Sequence, residues 1–380
     1  MFHLHIVGRR GYSHSISLIS QWMALSLARL SDLRLTFAET PGHVQQSART
    51  LFSDENAAIL DAIPDLMPGE VPDAEVRMAS HYPDAGPGDH PKLLYVFTEV
   101  RGPTVMERLP PRDDFERSSN IGLLMPSSWV RKAFVEQRIP PSRLRNLGVG
   151  IDMETYSPSE QYRDTLRQQL GASGLAIMNV SGMWPYKGIV ELLQAAVMLI
   201  YEGYDISLIM KGNDSIYSSK KQLTDLLNAF QPEPRQRLAK HIRYIGREMS
   251  MREMAALYNA ADVYVSPYWA EGFNMPVLEA ISCGIPVICT AGGSTDDFTN
   301  AAVARHIKAE ESEINIGTVL RPDAHDLAHH LRALAADSSF RKSVRTAGPR
   351  HVAAGHTWDQ KAAQLLEIAK EWSATVRAAR

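Results

Sequence analysis

Two glutamates flank a turn in the segment SPYWAEGFNMPVLEAISCG, residues 266–284. Glu271 precedes a Gly-Phe-Asn-Met-Pro turn and Glu279 follows it, with seven residues between the two carboxylates. Pro276 is typical of a first helical position, because its missing N–H would have no intrahelical partner there. A helix that begins in this turn presents free backbone N–H groups and the positive end of its dipole to a ligand. The segment therefore predicts an anion site between two groups that accept hydrogen bonds.

A sugar nucleotide suits such a site, since its diphosphate can occupy the helix end and its hydroxyl-bearing rings can lie on both sides. The amides that would face the ligand belong to Asn274, Met275, Val277 and Leu278. Glu279 leans back toward the start of the helix, where it can accept hydrogen bonds from the ligand. Alternatively, Glu279 is stabilised by the dipole alone, by about 0.3–1 kcal/mol. The residue pattern leaves both interpretations open.

Strands that alternate with helices carry this segment. Apolar strand-like runs such as FHLHIV, LAIMNVSG, ISLIMKG and DVYVSP are separated by helical patterns such as GIVELLQAAVMLIYEG and SMREMAALYNAA. In the latter helix, Ser250 is the expected N-cap. This alternation predicts the α/β class, with parallel sheets covered on both faces. Residues 40–91 are rich in Pro, Gly and Asp, and we expect them to form loops.

Two successive series of this kind predict two Rossmann-like domains that face each other across a cleft. We expect an N-terminal domain over residues 1–155 and a C-terminal domain over residues 156–359, followed by a final helix, 360–380. The strand-to-helix position of the 266–284 turn is the edge at which open α/β sheets bind ligands.

Composition excludes several classes of protein. The 380 residues carry a net charge of -3, which argues against an obligate nucleic-acid binder. No run of 18 apolar residues is present, and the N-terminal MFHLHIVGRRGYSHS has the wrong order for a signal peptide. We therefore expect a cytoplasmic protein. Cys283 and Cys289 have no His at zinc spacing, and we interpret them as small core residues.

The segment EGFNMPVLEAISCGIPVI resembles the signature of the retaining GT-B glycosyltransferases, in which two glutamates are seven residues apart. Other segments resemble the family in the same order: LGVGIDMETYSP, SGMWPYKGIVELLQAA, YNAADVYVSP and HTWDQKAAQLLEI. The resemblance covers most of residues 120–300 and the C-terminus, whereas the N-terminal domain matches in pattern only. It implies that the N-terminal domain binds the acceptor, that the C-terminal domain binds the donor, and that the helix over residues 360–380 crosses back to the first domain.

The resemblance implies roles for individual residues. Glu271 would contact the donor sugar near the reacting centre, and Glu279 would bind the ribose hydroxyls. The amides of Asn274 and Met275 would hold sugar hydroxyls, and those of Val277 and Leu278 would meet the phosphates. Lys187 matches a lysine on the diphosphate, where a fixed cation stabilises the leaving group. A solvated surface lysine is the alternative for Lys187.

Gly182 departs from the family pattern. The family usually has an arginine at this position, five residues before the lysine, and it also contacts the phosphates. The sequence suggests three basic residues as substitutes, Arg9, Arg10 and Arg247, or else a greater contribution from the helix end. An unreplaced charge-assisted hydrogen bond costs about 1.5–3 kcal/mol.

The remaining site residues rest on weaker patterns. Gly11 in VGRRGYSHS matches a family loop that lies against the donor phosphates and acceptor, although a lone glycine loop is a weak signal. His81 and Glu99 fall where loops over the cleft are expected, and solvated loop residues are an equal alternative. Arg247 and Glu248 follow YIG, where the backbone of the family contacts the nucleotide base.

No metal site is expected. His325, His329 and His330 have helical spacing but no third ligand, which favours a solvated helix face. Asp296 and Asp297 are adjacent, so they cannot form the Asp-x-Asp element that holds a divalent ion on the diphosphate in the other major glycosyltransferase fold. The sequence therefore predicts no cofactor and no divalent metal.

Despite the departure at Gly182, the resemblance implies a retaining glycosyltransferase that uses a nucleotide-sugar donor and a sugar or lipid-linked acceptor. Three alternatives remain: a sugar-nucleotide epimerase or phosphorylase on the same fold, a catalytically silent nucleotide-sugar-binding subunit, and a nicotinamide oxidoreductase, which lacks its Gly-x-Gly-x-x-Gly here. Residues 15–30 form an apolar helix with arginines nearby, which suits either peripheral contact with the inner membrane face or a buried core helix.

Overall fold

A computed structural model of the chain describes residues 1–10, 15–40, 52–103, 115 and 118–380. Gly11 therefore lies outside the described residues. The chain divides into two compact units. Unit 1 comprises Met1–Gly150, Ile314–Thr318 and Gly355–Arg380, and unit 2 comprises Ile151–Glu313 and Val319–Ala354.

Unit 1 contains a parallel six-stranded sheet in the order β2-β1-β3-β4-β5-β6. Its strands are β1 (Phe2–Gly8), β2 (Leu33–Glu39), β3 (Ala74–Arg77), β4 (Lys92–Tyr95), β5 (Ile121–Met125) and β6 (Leu144–Asn146). Its helices include α1 (Ser15–Ala28), α2 (Asp54–Asp61) and α3 (Ser128–Glu136). A last helix, α13 (Trp358–Ala378), also belongs to this unit and begins with a capping box from Thr357.

Unit 2 contains a second parallel six-stranded sheet in the order β12-β11-β10-β7-β8-β9. Its strands are β7 (Leu175–Val180), β8 (Ile206–Lys211), β9 (Ile242–Ile245), β10 (Val263–Ser266), β11 (Val287–Thr290) and β12 (Ala304–Ile307). A separate hairpin pairs β13 (Ala309–Ile314) with β14 (Gly317–Pro322).

The helices of this part of the chain are α4 (Arg163–Leu170), α5 (Ile189–Tyr201), α6 (Asp214–Tyr217), α7 (Ser219–Asn228), α8 (Pro232–His241), α9 (Met251–Ala260), α10 (Met275–Ser282), α11 (Ala324–Ala336) and α12 (Ser339–Ala353). Ser250 caps α9 in a capping box with Glu253, as the sequence predicts.

The core of unit 2 explains why its strands and helices were recognisable. Alternate residues of β7 and β8, such as Leu175, Ile177 and Leu208, pack against one face of α5. The buried residues of α5 recur at helical spacing: Ile189, Leu192, Leu193, Ala195, Ala196 and Leu199. Strands that are covered on both faces read as continuous apolar runs. The two parallel sheets confirm the predicted α/β class.

The expectation that residues 40–91 form only loops is wrong. This range contains α2 and also β3, an interior strand that pairs with both β1 and β4. The sequence of β3, AEVR, contains two charged residues and therefore lacks an apolar run. These residues can be buried because they form hydrogen bonds with each other and with His90. Glu75 is only 5% exposed and accepts hydrogen bonds from Arg77, at 2.8 Å, while His90 Nε2 lies 2.9 Å from it.

Helix α1 is a core helix, the simpler of its two interpretations. Most of its residues are buried, and it packs against α13, where the rings of Trp22 and Trp358 stack at 6.4 Å. Its apolar surface is therefore covered by protein. None of the described helices combines the length and the apolar character needed to cross a lipid bilayer.

Candidate active site

The candidate site lies at the switch point of the sheet of unit 2. From β7 the chain order runs through β8 to β9 on one side, whereas β10, β11 and β12 extend to the other side. The loops that follow β7 and β10 therefore leave neighbouring strands in opposite directions and open a crevice at their carboxyl ends. The β7 loop carries Lys187, and the β10 loop carries Glu271.

The two loops approach each other so closely that one position admits only glycine. Gly188 has φ +72°, and a Cβ atom there would lie 1.7 Å from the carbonyl oxygen of Pro267. The Trp269 amide donates to the Tyr186 carbonyl at 2.8 Å. The indole of Trp269 also donates to Glu191 Oε1 at 2.7 Å. These contacts fix the β7 loop against the β10 loop.

Lys187 and Glu271 form an ion pair across the two loops. The distance from Lys187 Nζ to Glu271 Oε1 is 2.8 Å, and both side chains are mostly buried, at 14% and 17% exposure. The Lys187 ammonium also lies 4.9 Å from the centre of the Tyr186 ring. An ammonium group has three donors, so Lys187 can hold the Glu271 carboxylate and an anionic ligand oxygen at the same time.

Helix α10 begins at Met275, after a short turn that follows Glu271. Its N-cap, Asn274, is in the left-handed region with φ +79°, and its side chain donates to Ser266 Oγ at 2.8 Å. No described side chain caps the helix. Pro276 is the second helical residue, where it also removes an N–H that needs no intrahelical acceptor.

The amides of this first turn are not equivalent. The Val277 amide already donates to the Asn274 carbonyl at 3.1 Å, so a ligand contact from Val277 would share that hydrogen. Met275 is half-buried, whereas Val277 and Leu278 are buried.

Glu279 lies one turn into α10 in a different environment from Glu271. Glu279 is 9% exposed, and Tyr258 Oη donates to Glu279 Oε2 at 2.6 Å. Burial raises the pKa of Glu279 to about 7, although hydrogen bonds from Tyr258 and Tyr156 lower it in part. Burial and the neighbouring Glu279 raise the pKa of Tyr258, so its hydroxyl remains a donor. Glu279 is thus a carboxyl group that changes charge near neutral pH.

The structure explains why an arginine is absent at Gly182. A Cβ atom at Gly182 would lie 2.7 Å from Trp184 Cδ1 and 3.4 Å from the Tyr217 ring. The following residue, Met183, is fully buried with φ +60°. The Trp184 ring therefore occupies the space in which a side chain at residue 182 would begin.

Arg247 and Glu248 follow β9 and are exposed. Arg247 forms an ion pair with Glu253 at 2.8 Å, and Glu248 accepts a hydrogen bond from Ser215 Oγ at 2.8 Å. Because β9 is separated from β7 by β8, these two residues are not at the Lys187–Glu271 pair.

The candidate residues of unit 1 share one edge of its sheet. Arg9 and Arg10 follow β1, His81 follows β3, and Glu99 follows β4, all beyond the carboxyl ends of neighbouring strands. The Nε atoms of both arginines are buried without a hydrogen-bond partner among the described residues. The Arg10 guanidinium lies 4.2 Å from the centre of the Phe37 ring, and burial lowers its pKa.

Sequence reasoning missed the partners that set the chemistry of this site. Tyr258 and Tyr156 surround Glu279, and Glu191 binds the Trp269 indole. They come from distant segments, and no local pattern marks them. It also missed Lys211, a buried lysine whose position at the end of an apolar strand was a readable signal.

Within the described residues, no three His, Cys, Asp or Glu side chains are grouped so that they could hold a metal ion. His330 instead lies 3.2 Å from the His306 carbonyl oxygen and 3.4 Å from Asp326.

Part of unit 2 matches a known protein family. The sequence model described as "Glycosyl transferases group 1" matches residues 174–337, which include the whole candidate site of unit 2. The lipopolysaccharide 1,2-N-acetylglucosaminetransferase of Salmonella typhimurium is 26% identical over 261 residues, which is 66% of this chain and 62% of that protein. The chain spans about half to three fifths of the length of the curated relatives it matches.

Solved structures share the fold over nearly the whole chain. A glycosyltransferase from Rickettsia africae has a TM-score of 0.70 at 14% identity, with 98% of both chains covered. Anabaena Alr3699/HepE in complex with UDP and glucose has a TM-score of 0.66 at 13% identity, covering 98% of this chain and all of that one. Residues 174–337 therefore match a group 1 glycosyltransferase domain, and the chain, with its two parallel α/β units, has the GT-B fold of the solved glycosyltransferase structures.

Proposed function

We propose that this chain is a retaining glycosyltransferase that moves a sugar from a nucleotide-sugar donor to a hydroxyl acceptor. The observation that carries the proposal is the Lys187–Glu271 ion pair of 2.8 Å at the switch point, directly before the N-terminus of α10. A fixed cation and a helix end face the position where a leaving diphosphate gains charge. Similarity to a lipopolysaccharide N-acetylglucosaminetransferase and to a UDP-binding structure supports a nucleotide-sugar donor.

Each residue of unit 2 has a part in this proposal. Lys187 stabilises the diphosphate, and Glu271 positions both Lys187 and the donor sugar. Glu279 accepts hydrogen bonds from the ribose hydroxyls. The amides of Asn274, Met275, Val277 and Leu278 contribute at the helix end.

The reaction breaks the bond between the anomeric carbon and the phosphate oxygen and forms a bond from that carbon to the acceptor oxygen on the same face. The acceptor proton passes to the leaving phosphate. Lys187 and the helix end stabilise the negative charge that grows on that phosphate. The proposal needs no divalent metal. The acceptor contacts loops of unit 1, which carry Arg9, Arg10, His81 and Glu99.

The proposed setting is the cytoplasm, in the synthesis of a bacterial polysaccharide, glycolipid or other glycoconjugate, with peripheral contact at the inner membrane face for a lipid-linked acceptor. The acceptor class follows the relatives, one of which acts on lipopolysaccharide.

The test is calorimetric titration in EDTA with UDP, GDP, ADP, dTDP and their common sugar conjugates. We expect one nucleotide to bind tightly and Glu279→Ala to weaken that binding. Incubation of the matching donor with candidate acceptors, followed by NMR of the product, then determines whether the anomeric configuration is retained. A folded protein that binds none of these ligands would contradict the proposal.

A catalytically silent nucleotide-sugar-binding subunit is the second candidate, because Trp184 fills the space of the usual arginine at Gly182. Such a protein would bind the donor but neither hydrolyse nor transfer the sugar. Product analysis in the same experiment separates the two functions.

A further inference from the structure

Lys211 is a buried cation with no role in the site described above. It is the last residue of β8 and is 6% exposed. Its ammonium donates to the carbonyl oxygen of the next residue, Gly212. Among the residues that the structure describes, no Asp or Glu forms an ion pair with Lys211. Burying a charge without a counter-ion is costly, so such a group needs an acceptor from elsewhere.

The acidic groups nearest to Lys211 are already engaged. Asp214 accepts from Tyr244 Oη at 2.5 Å and from the Lys220 amide at 2.8 Å. Glu248 accepts from Ser215, and Glu253 binds Arg247. Burial lowers the pKa of Lys211 and the positive charge of Arg247 lowers it further, whereas the negative charges of Asp214, Glu248 and Glu253 raise it in part. With three donors and one described acceptor, the ammonium has capacity left for a ligand.

The position of Lys211 relative to the Lys187–Glu271 pair suggests which part of a donor it meets. Lys211 is paired in register with Val180 of β7 and with Ile245 of β9. It therefore lies at the same carboxyl edge as the candidate site, on the side of β7 away from β10. The charges that act on Lys211 come from the segments after β8 and β9, and Lys187 and Glu271 are not among them.

The opposite side of the switch point is filled by protein. After β11, a short helical turn over Ser294–Asp297 packs against the β10 loop, where Ser294 Oγ donates to the Phe273 carbonyl at 3.3 Å. The rings of Phe273 and Phe298 stack at 4.5 Å. This packing favours a placement of the donor with its diphosphate at the switch point and its nucleoside end over β8 and β9.

We propose that Lys211 donates a hydrogen bond to a carbonyl oxygen of the donor's nucleobase and so selects 4-oxopyrimidines or 6-oxopurines over the corresponding amino bases. This inference rests on the proposed function. An ammonium group only donates hydrogen bonds, so it can pair with a carbonyl oxygen of the base. An exocyclic amino group at the same position also donates, and the ammonium would then have no acceptor. A buried polar group that loses its partner gives strong discrimination, on the order of 10²-fold or more.

The experiment compares nucleotides that differ mainly at this oxo or amino position. Wild-type protein is titrated calorimetrically in EDTA with UDP against CDP and with IDP against ADP. We expect the oxo member of the better-bound pair to bind at least about tenfold more tightly. In Lys211→Met, which has similar volume and no donor, we expect the two affinities to agree within about twofold. Lys221→Met, which removes an exposed lysine paired with Asp225, should keep the wild-type ratio.

Lys211→Gln is a second variant that guards against a folding defect in Lys211→Met. The amide both donates and accepts, so it should also reduce the ratio. Without nucleotide, Lys211→Met should melt at the wild-type temperature or above, because it removes a buried charge that forms no ion pair with a described acid.

The outcomes separate this inference from the proposed function. A wild-type ratio near one, or a ratio unchanged in both Lys211 variants, overturns the inference but not the function. Equal weakening of all four nucleotides with an unchanged ratio would place Lys211 on the phosphate and also overturns it. A folded wild-type protein that binds none of the nucleotides would contradict the proposed function itself.

Discussion

Glu271 and Glu279 come from one short motif, yet the structure gives them opposite surroundings. Glu271 precedes α10 and is paired with a lysine from the neighbouring loop at 2.8 Å. Glu279 lies inside α10, is 9% exposed and accepts a hydrogen bond from the hydroxyl of Tyr258 at 2.6 Å. One carboxylate has a cation as its partner, and the other has neutral tyrosines.

The turn between the two glutamates creates this difference. Asn274 adopts the left-handed conformation, which ends the β10 loop and starts α10 in a new direction. Glu271 then faces the β7 loop, whereas Glu279 packs toward Tyr258 on α9. A fixed spacing in sequence therefore does not imply equivalent chemistry. We expect Glu271 to act at the reacting centre and Glu279 to act in binding.

Of the changes described here, breaking the Lys187–Glu271 pair should have the largest effect on the rate of sugar transfer. Lys187→Met and Glu271→Gln should each lower kcat by about 10²–10³, as does the loss of one group that stabilises developing charge. Because the two side chains act as a unit, the double variant should be little worse than either single variant. Initial rates of donor turnover measure this cycle.

Glu233→Gln is the matched control for this cycle, since Glu233 is an exposed acid that pairs with Arg237 on α8. It should leave kcat unchanged. If the losses in the two single variants multiply in the double variant, Lys187 and Glu271 act independently and the assigned unit is wrong.

The charge of Glu279 should control binding. Ribose hydroxyls donate to an ionised carboxylate, and the pKa of Glu279 is raised to about 7 in the ligand-free protein. Nucleotide affinity should therefore fall about tenfold per pH unit below pH 7, with proton release on binding. Glu279→Gln should bind weakly without this pH dependence. Tyr258→Phe should move the midpoint to higher pH, because the Tyr258 hydrogen bond lowers the pKa of Glu279.

The raised pKa of Glu279 should also lower the stability of the protein as pH rises. A salt-bridged acid, whose pKa is lowered, has the opposite effect. The folded state retains the proton on Glu279 above pH 4.5, where the unfolded state loses it. The free energy of unfolding should therefore decrease by about 3 kcal/mol as pH rises from about 4.5 through 7. Melting temperatures of the wild type and Glu279→Gln at pH 5 and pH 8 test this. A wild type that gains stability relative to Glu279→Gln over this range would show the assigned shift to be wrong.

Substitutions at the turn should have the smallest effect and should sharpen the comparison. Asn274→Ala places a Cβ-bearing residue at φ +79° without a polar side chain, whereas Asn274→Gly keeps the conformation accessible. We expect Ala to be less stable than Gly by about 1 kcal/mol in denaturant unfolding. Ser266→Ala isolates the lost hydrogen bond from Asn274. Equal stability of Asn274→Ala and Asn274→Gly would mean that the turn stores no backbone strain.

Much of the fold could be predicted because unit 2 has local signals that agree with its packing. The strands β7, β8, β10 and β11 are apolar runs, and α5 has apolar residues at helical spacing. In unit 1, β3 could not be predicted in this way. Glu75 and Arg77 break the apolar pattern, and only their pairing with each other and with His90 makes burial tolerable.

The candidate site also contains features that the sequence could predict and features that it could not. Lys187, Glu271 and the start of α10 were predictable, since turn chemistry and charge are local properties. That Trp184 would fill the space beside Gly182 was not predictable, because a ring position depends on packing. The same is true of the tyrosines around Glu279 and of the burial of Lys211.

The sequence by itself was enough to predict the α/β class, the resemblance to group 1 glycosyltransferases and the candidate site residues, because periodicity, turn residues and motif spacing are properties of contiguous segments. Only the tertiary structure decided which carboxylate has a cation and which has tyrosines. It also decided that β3 is an interior strand and that Lys211 is buried without an ion pair to any acid in the described part of the chain. Burial and pairing join segments far apart in the chain, and they set the pKa and the hydrogen-bonding capacity of each group.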